Sequence, residues 1–291
     1  MKRKSDRAGF GWFTIISMIV ALLVLSIATF AWFQQNRLAE TSTATARSGD
    51  ENVELELSSS GGAGFTPEET VSIQQVNSAD VKELMPVSTA DLGTFVTNHV
   101  TKEEVAEVFE VVKDENYYYH GRIYMRAKAG KDFDGSKMTI YLTQSDETGG
   151  AIVKSDSAEL MNASRLGLKI SGGEGGGNAI LSLSSAGNAA EDQSLNTKLN
   201  VVLLSANQVL DASSGSIRAV SDPSKLIDSV CVARDAGGYS LPDESVAEIE
   251  MNTVYQVDVY FYLEGCDPDC TNPISYEASN LHLAFLGILS E

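Results

Sequence analysis

Residues 254–264 read VYQVDVYFYLE and residues 280–289 read NLHLAFLGIL. They are the longest and most apolar strand-like runs of the chain, which predicts a central place in their sheets. Upstream of them, YYYHGRIYMRAKA (117–129), MTIYLTQ (138–144), SRLGLKI (164–170) and AILSLS (179–184) alternate or nearly alternate apolar and polar residues. VVLL (201–204) and SIRAV (216–220) continue the series. Turn-formers separate these runs: Lys131–Ser136, Glu147–Gly150 and the glycine-rich Gly172–Asn178. Short strands broken by Gly, Pro and Asp predict a mainly β domain, an antiparallel β-sandwich of jelly-roll type rather than a parallel α/β sheet. No heptad pattern and no longer internal repeat is visible.

Toward the amino terminus the signal weakens. Residues 65–115 are poorly defined: Thr70–Val76 reads as a strand and Leu84–Thr89 as a crossing loop. Thr101-Lys-Glu-Glu104 has the form of a helix capping box, yet the following VAEVFEVV is rich in β-branched residues, and both readings stay open. Val53, Leu55 and Leu57 alternate with glutamates as a short half-buried strand, closed by SSSGGAG (58–64). Residues 34–50 are small and polar without periodicity, as expected of a linker. The sandwich domain is therefore expected over residues 51–291.

Phe10–Phe33 is a different kind of segment. Its 24 residues carry no charge, and as a helix they would reach about 36 Å, enough to cross a bilayer with some tilt. Trp12 and Trp32 stand 20 residues apart at its ends, about 30 Å along a helix, the separation of two interfacial aromatic belts. Lys2, Arg3, Lys4 and Arg7 in the basic tip (residues 1–9) place the amino terminus in the cytoplasm and the remainder outside the cell. The run exceeds the usual signal-peptide core, which favours a single-pass transmembrane anchor. Small residues at Ala28, Thr29 and Ala31 keep a cleaved export signal, and hence secretion, as the alternative.

The chain holds 21 Lys+Arg against 40 Asp+Glu, and without the four basic and one acidic residues of the tip the balance is 17 against 39. Such an excess repels nucleic acid and anionic lipid headgroups alike. Cys266-Asp-Pro-Asp-Cys270 is compact enough for a structural disulfide in an exported protein, with Cys231 left over or exchanged into the pair. Zinc competes weakly, because none of His99, His120 and His282 stands beside the CxxxC.

Catalytic motifs are missing from the sequence. HExxH, GxSxG and P-loop patterns are all absent. Gly172–Gly177 lies between strands and reads as a hairpin loop, not a phosphate cradle. Asp132 and Asp134 begin like a calcium loop but lack the distal bidentate Glu, and Glu264, Asp267 and Asp269 form a second acidic turn. Plain β-turns are the favoured reading of both, so no cofactor is expected, and calcium is the ion these two acidic turns leave open. Tyr117, Tyr118 and Tyr119 read as an aromatic set facing both sides of a strand.

Ala28-Thr-Phe-Ala-Trp-Phe33, after a basic tip and an apolar run, resembles the export segment of camelysin and TasA-type biofilm-matrix proteins of Gram-positive bacteria. VDVYFYLEGCDPDCTN (257–272) is similar to a motif of clostridial cell-envelope proteins carrying the same anchor. The resemblance implies an extracellular matrix or surface protein that polymerises by passing an early strand, here Val53, Leu55 and Leu57, to a neighbour. The protease activity in the camelysin name is not implied, since no matching metal motif is present. Arg7-Ala-Gly9-Phe10 is also similar to the processing junction of type IV pilins, although Thr14 stands where those subunits usually carry Glu.

The sequence therefore predicts a non-catalytic, membrane-anchored extracytoplasmic protein of the cell envelope or biofilm matrix. Its expected partners are the bilayer, its own copies and cell-wall or surface components. A glycan- or protein-binding surface module and a pilin-like subunit cut at Gly9–Phe10 are the alternatives.

Overall fold

The computed structural model describes residues 42–49, 53–67, 69–77, 84–100, 107–113, 115–130, 136–143, 152–154, 158–184, 208–211, 218–221, 224–235, 238–265, 267, 270 and 280–290. The basic tip and the apolar segment with Trp12 and Trp32 lie outside the described residues, among which no helix is long and apolar enough to cross a membrane.

The protein is mainly β. The first strands are β1 (Thr43–Ser48), β2 (Val53–Ser58), β3 (Thr66–Pro67), β4 (Val71–Ser72), β5 (Gln74–Gln75) and β6 (Pro86–Val87). Then come β7 (Val96–Val100), β8 (Glu107–Val111), β9 (Tyr119–Ala129), β10 (Lys137–Thr143) and β11 (Val153–Lys154). A short helix, α1 (Ala158–Ala163), leads into β12 (Ser164–Gly172) and β13 (Gly175–Ser182). The series continues with β14 (Gln208–Asp211), β15 (Arg218–Ser221), β16 (Ser224–Leu226), β17 (Cys231–Asp235) and β18 (Gly238–Ser240). It ends with β19 (Ala247–Glu250), β20 (Val254–Glu264) and β21 (Asn280–Leu289).

One curled sheet takes in most of these strands. Along one half, β2, β9, β20, β12 and β13 are antiparallel neighbours in that order. A single pair, Gly176 with Glu248, joins β13 to β19. From there β10 and β21 follow antiparallel, and β1 closes the other half parallel to β21. Inward residues of both halves, among them Leu55, Ile123, Met138, Leu166, Tyr255, Phe261 and Phe285, form one buried core. Each large apolar side chain so removed from water contributes roughly 1.5–3 kcal/mol before conformational entropy is set against it.

Local chemistry explains the strands. In β9 every second residue from Tyr119 to Ala127 is buried, and His120, Arg122, Tyr124, Arg126 and Lys128 face outward. In β20 all residues from Val257 to Glu264 are buried, because its outer face is covered as well. This is why both 254–264 and 280–289 look continuously apolar. The glycine-rich stretch makes the β12–β13 hairpin, turning through Gly173 and Glu174. Gly176 has φ 115°, and a Cβ there would run into the Ile170 carbonyl.

Several expectations need revision. Thr43–Ser48, taken as part of the linker, is β1: Ala44 and Ala46 point into the core while their neighbours face out. That alternation of small residues with threonine is too faint in hydrophobicity to be read from sequence. In the ambiguous 101–112 region the strand reading prevails where the chain is described, since β8 pairs with β7 along its whole length. The sheet is not purely antiparallel, as β6, β16 and β17 also pair parallel with β20, β13 and β10. VVLL (201–204) and the Asp132–Asp134 turn lie outside the described residues, and the 216–220 run is realised as β15, paired with β14. The helix α1 was not expected from the sequence; it is only six residues long.

Candidate functional site

A polar cluster lies on the outer face of β9, β20, β12 and β13. The strand registers lay side chains out in rows across the sheet. Arg122, Asp258, Lys169 and Asn178 form one row; His120, Tyr260, Gly167 and Ile180 form the next. Asp258 Oδ1 accepts from Arg122 Nε at 2.7 Å and lies 3.0 Å from His120 Nε2, while Oδ2 accepts from Gln256 Nε2 at 2.6 Å. Burial by itself would raise the pKa of this carboxyl, but the three hydrogen bonds outweigh it and hold the group below its ordinary value. Both carboxylate oxygens are already engaged, so the cluster orders this face rather than presenting a general base.

Beside that row the chain from Leu84 to Val100 crosses the sheet. Its base is fixed: β6 pairs with β20, Met85 N–H donates to Tyr117 O at 2.9 Å, and Gly265 N–H donates to Val87 O at 3.0 Å. Ser88 and Val96 exchange a pair of backbone hydrogen bonds, at 2.8 and 2.9 Å, closing a small loop. The loop caps a second apolar cluster of Val87, Leu92, Phe95, Tyr118, Ile180, Tyr260 and Tyr262. Phe95 stacks on Tyr118 with centroids 3.9 Å apart and meets Tyr262 edge-on at 5.6 Å, while Tyr260 stacks on His120 at 4.4 Å. Tyr118 belongs to this outer cluster and Tyr119 to the main core, but of the tyrosine run only Tyr119 lies in a strand: Tyr117 ends a short 3-10 turn, Glu115–Tyr117, and Tyr118 sits in the bend before β9.

The third element is a buried ionic cluster at the end of β20. Arg165 is fully buried; its NH1 donates to Asn162 O (2.9 Å) and Ser164 O (3.1 Å), and its NH2 to Asp267 Oδ2 at 2.8 Å. Tyr262, opposite Arg165 in register, is buried as well, and its phenol is pushed well above its ordinary pKa by burial and by Glu264. Among the described residues, the Tyr262 hydroxyl and Arg165 Nε have no hydrogen-bond partner.

The residues singled out from sequence fall as follows. Val53, Leu55 and Leu57 point into the core, 3%, 1% and 0% exposed, and β2 is paired along its length with β9. Cys231 and Cys270 are free thiols, and Cys266 lies outside the described residues. Burial pushes both thiols up to about 12, helped by Asp228 at Cys231 and by Glu264 and Asp267 at Cys270. Glu264 and Asp267 are adjacent, with Asp267 N–H donating to Glu264 O at 3.0 Å, but Asp267 already takes a guanidinium. Asp269 lies outside the described residues, among which no group of three or more His, Cys, Asp or Glu is placed to hold a metal ion. His282 Nδ1 lies 2.5 Å from Thr43 Oγ1 and fastens β1 to β21.

Sequence reasoning missed Arg165, Asp258 and the close approach of the Leu92 side chain to Gly167, where an added Cβ would collide with it. Only the last had a local signal: an isolated glycine inside an apolar strand marks a close approach. Compared with protein-family models, curated proteins and solved structures, the chain matches none.

Proposed function

We propose that the chain is a non-catalytic, membrane-anchored structural or surface protein of the bacterial cell envelope or biofilm matrix, and that it assembles with copies of itself. The observation that carries this reading is the order of its parts. Only the nine residues Gln34–Ser42 separate the uncharged segment ending at Phe33 from β1. An acidic, mainly β body therefore stands directly beyond a stretch long enough to cross a bilayer. We read the curled sheet as a jelly-roll-like sandwich, the rigid type of body that surface proteins present. For assembly, β1 is the natural strand to exchange. Among the described residues it is the first strand, it pairs with β21 in parallel, which is slightly weaker per residue, and its other strand pairing is with two residues of β4.

Two experiments test the reading. Mass spectrometry of the protein from its host gives the mature amino terminus: an intact start supports the anchor, a start near Trp32 or Phe33 supports secretion, and a start at Phe10 supports the pilin-like alternative. Electron microscopy of the purified chain and of cell surfaces should show fibres or regular arrays; particles that stay monodisperse under all conditions rule out self-assembly. A glycan- or protein-binding role is the second reading, favoured by the hydrogen-bonding side chains Arg122, Lys169 and Asn178, which share one row of the outer face. Calcium dependence of such binding would appear as a rise in melting temperature at millimolar calcium.

A further inference from the structure

We propose that the loop Ser88–Val96 is a displaceable plug over a ligand site on the outer face of β12 and β20. The site takes a small, flat, uncharged apolar group carrying a hydrogen-bond acceptor. The inference is independent of self-assembly and of membrane anchoring.

The plug is Leu92. It is 1% exposed and projects onto Gly167, where a Cβ would collide with the Leu92 side chain and stand 3.2 Å from Tyr260 Cβ. Only a glycine at 167 leaves this hole in the sheet. Leu92 also holds φ 53°, a left-handed conformation that a bulky residue adopts against a steric penalty. The stabilisation from its burial is thus partly offset by its backbone.

Hydrogen bonding leaves the tip equally free to lift. Thr89 Oγ1 accepts from Leu92 N–H at 3.1 Å, and Asp91 Oδ1 accepts from Gly93 and Thr94 N–H at 2.9 and 2.7 Å. Among the described residues, residues 89–94 make hydrogen bonds only within the loop, so the tip rests on the sheet through apolar contact. The base remains held by the Ser88–Val96 pair and by Val112 N–H, which donates to Phe95 O at 2.8 Å. Lifting the tip breaks no hydrogen bond to the sheet and leaves its hinges intact.

What lies beneath is more polar than a plug alone needs. The floor is Gly167, Ile180 and the rings of Tyr260 and Tyr262. Among the described residues, the Tyr262 hydroxyl and, on the register neighbour Arg165, Nε have no hydrogen-bond partner, and both side chains are fully buried. Buried donors of this kind are rare unless something visits them. Aromatic walls fit a flat apolar group, and the unused donors fit a carbonyl oxygen upon it. The buried carboxylates of Glu264 and Asp267 beside the site disfavour an anion.

The test is hydrogen–deuterium exchange by mass spectrometry on the full-length chain in detergent, with benzamide as the probe. Millimolar benzamide should speed exchange in peptides covering Ser88–Val96 by at least about tenfold, as the open population grows, while β9 and β20 keep their protection. Benzoate, a charged analogue, should act more weakly. Tyr262→Phe, which removes a hydroxyl without a partner and keeps the ring, should fold with an unchanged or higher melting temperature and lose the benzamide response. Unchanged or slowed exchange in the wild-type loop overturns the proposal, as does a benzoate response equal to that of benzamide. An equal benzamide response in Tyr262→Phe also overturns it, and the wild-type arms decide the matter even if that variant does not fold.

Discussion

Replacing Arg165 with Met should be among the most damaging single changes on the outer face. Methionine keeps an unbranched side chain of similar reach but removes every donor. Asp267, with a side chain 3% exposed, then stays buried as a carboxylate without its cation, and two backbone carbonyls lose their donors. Breaking one side of such a buried pair costs about 3–5 kcal/mol. For a domain of this size each kcal/mol moves the melting temperature by about 2–4 °C, so the expected fall is roughly 6–20 °C. Circular-dichroism melts of the full chain in one detergent, for wild type, Arg165→Met, Asp267→Asn and the double variant, give a complete cycle. The double variant should recover much of the loss, with a coupling on the order of 2 kcal/mol. An Arg165→Met chain that melts within a few degrees of wild type, or a cycle that is simply additive, would refute the buried pairing.

Three further outcomes are expected. The Asp258 carboxyl titrates below its ordinary value in the folded chain, so its stabilisation is present above the unfolded pKa and is lost as pH falls through the folded one. Asp258→Asn should therefore melt below wild type at pH 7, and the gap should close through the acid range; a gap independent of pH would contradict the network. Gly176→Ala puts a side chain at φ 115° against the Ile170 carbonyl, and thermal melts should show a cost of at least ~1–3 kcal/mol. In a Cys266→Ser background, Cys231 and Cys270, pushed up to about 12, should react with iodoacetamide at pH 8 on the order of 100-fold more slowly in the folded chain than in urea. Fast labelling of either would show that thiol to be exposed.

The longer strands were legible because their side chains carry period-two alternation, as in β9, or near-continuous apolar character, as in β20. The Gly172–Asn178 turn was legible for the same local reason: glycines between two strand-like runs make a hairpin. β1 was not, since Thr-Ala-Thr-Ala hides its alternation in residues of similar polarity, and only its pairing with β21 makes it a strand. The outer face was also hidden. Asp258 reads as a break in an apolar run until the register sets it beside Arg122, and Arg165 reads as an exposed cation until the 264–267 turn folds over it.

The sequence by itself determined what each residue's own chemistry dictates. It set an uncharged segment apart from an acidic body, made that body mainly β, and put its turns at glycine and aspartate. Tertiary structure alone decided which polar groups are buried together. The Arg165–Asp267 pair is separated by 102 residues and the Arg122–Asp258 pair by 136. Leu92 and Gly167 likewise meet only through the fold. Such contacts depend on strand order and register, which join distant parts of the chain, and no local pattern of residues encodes them.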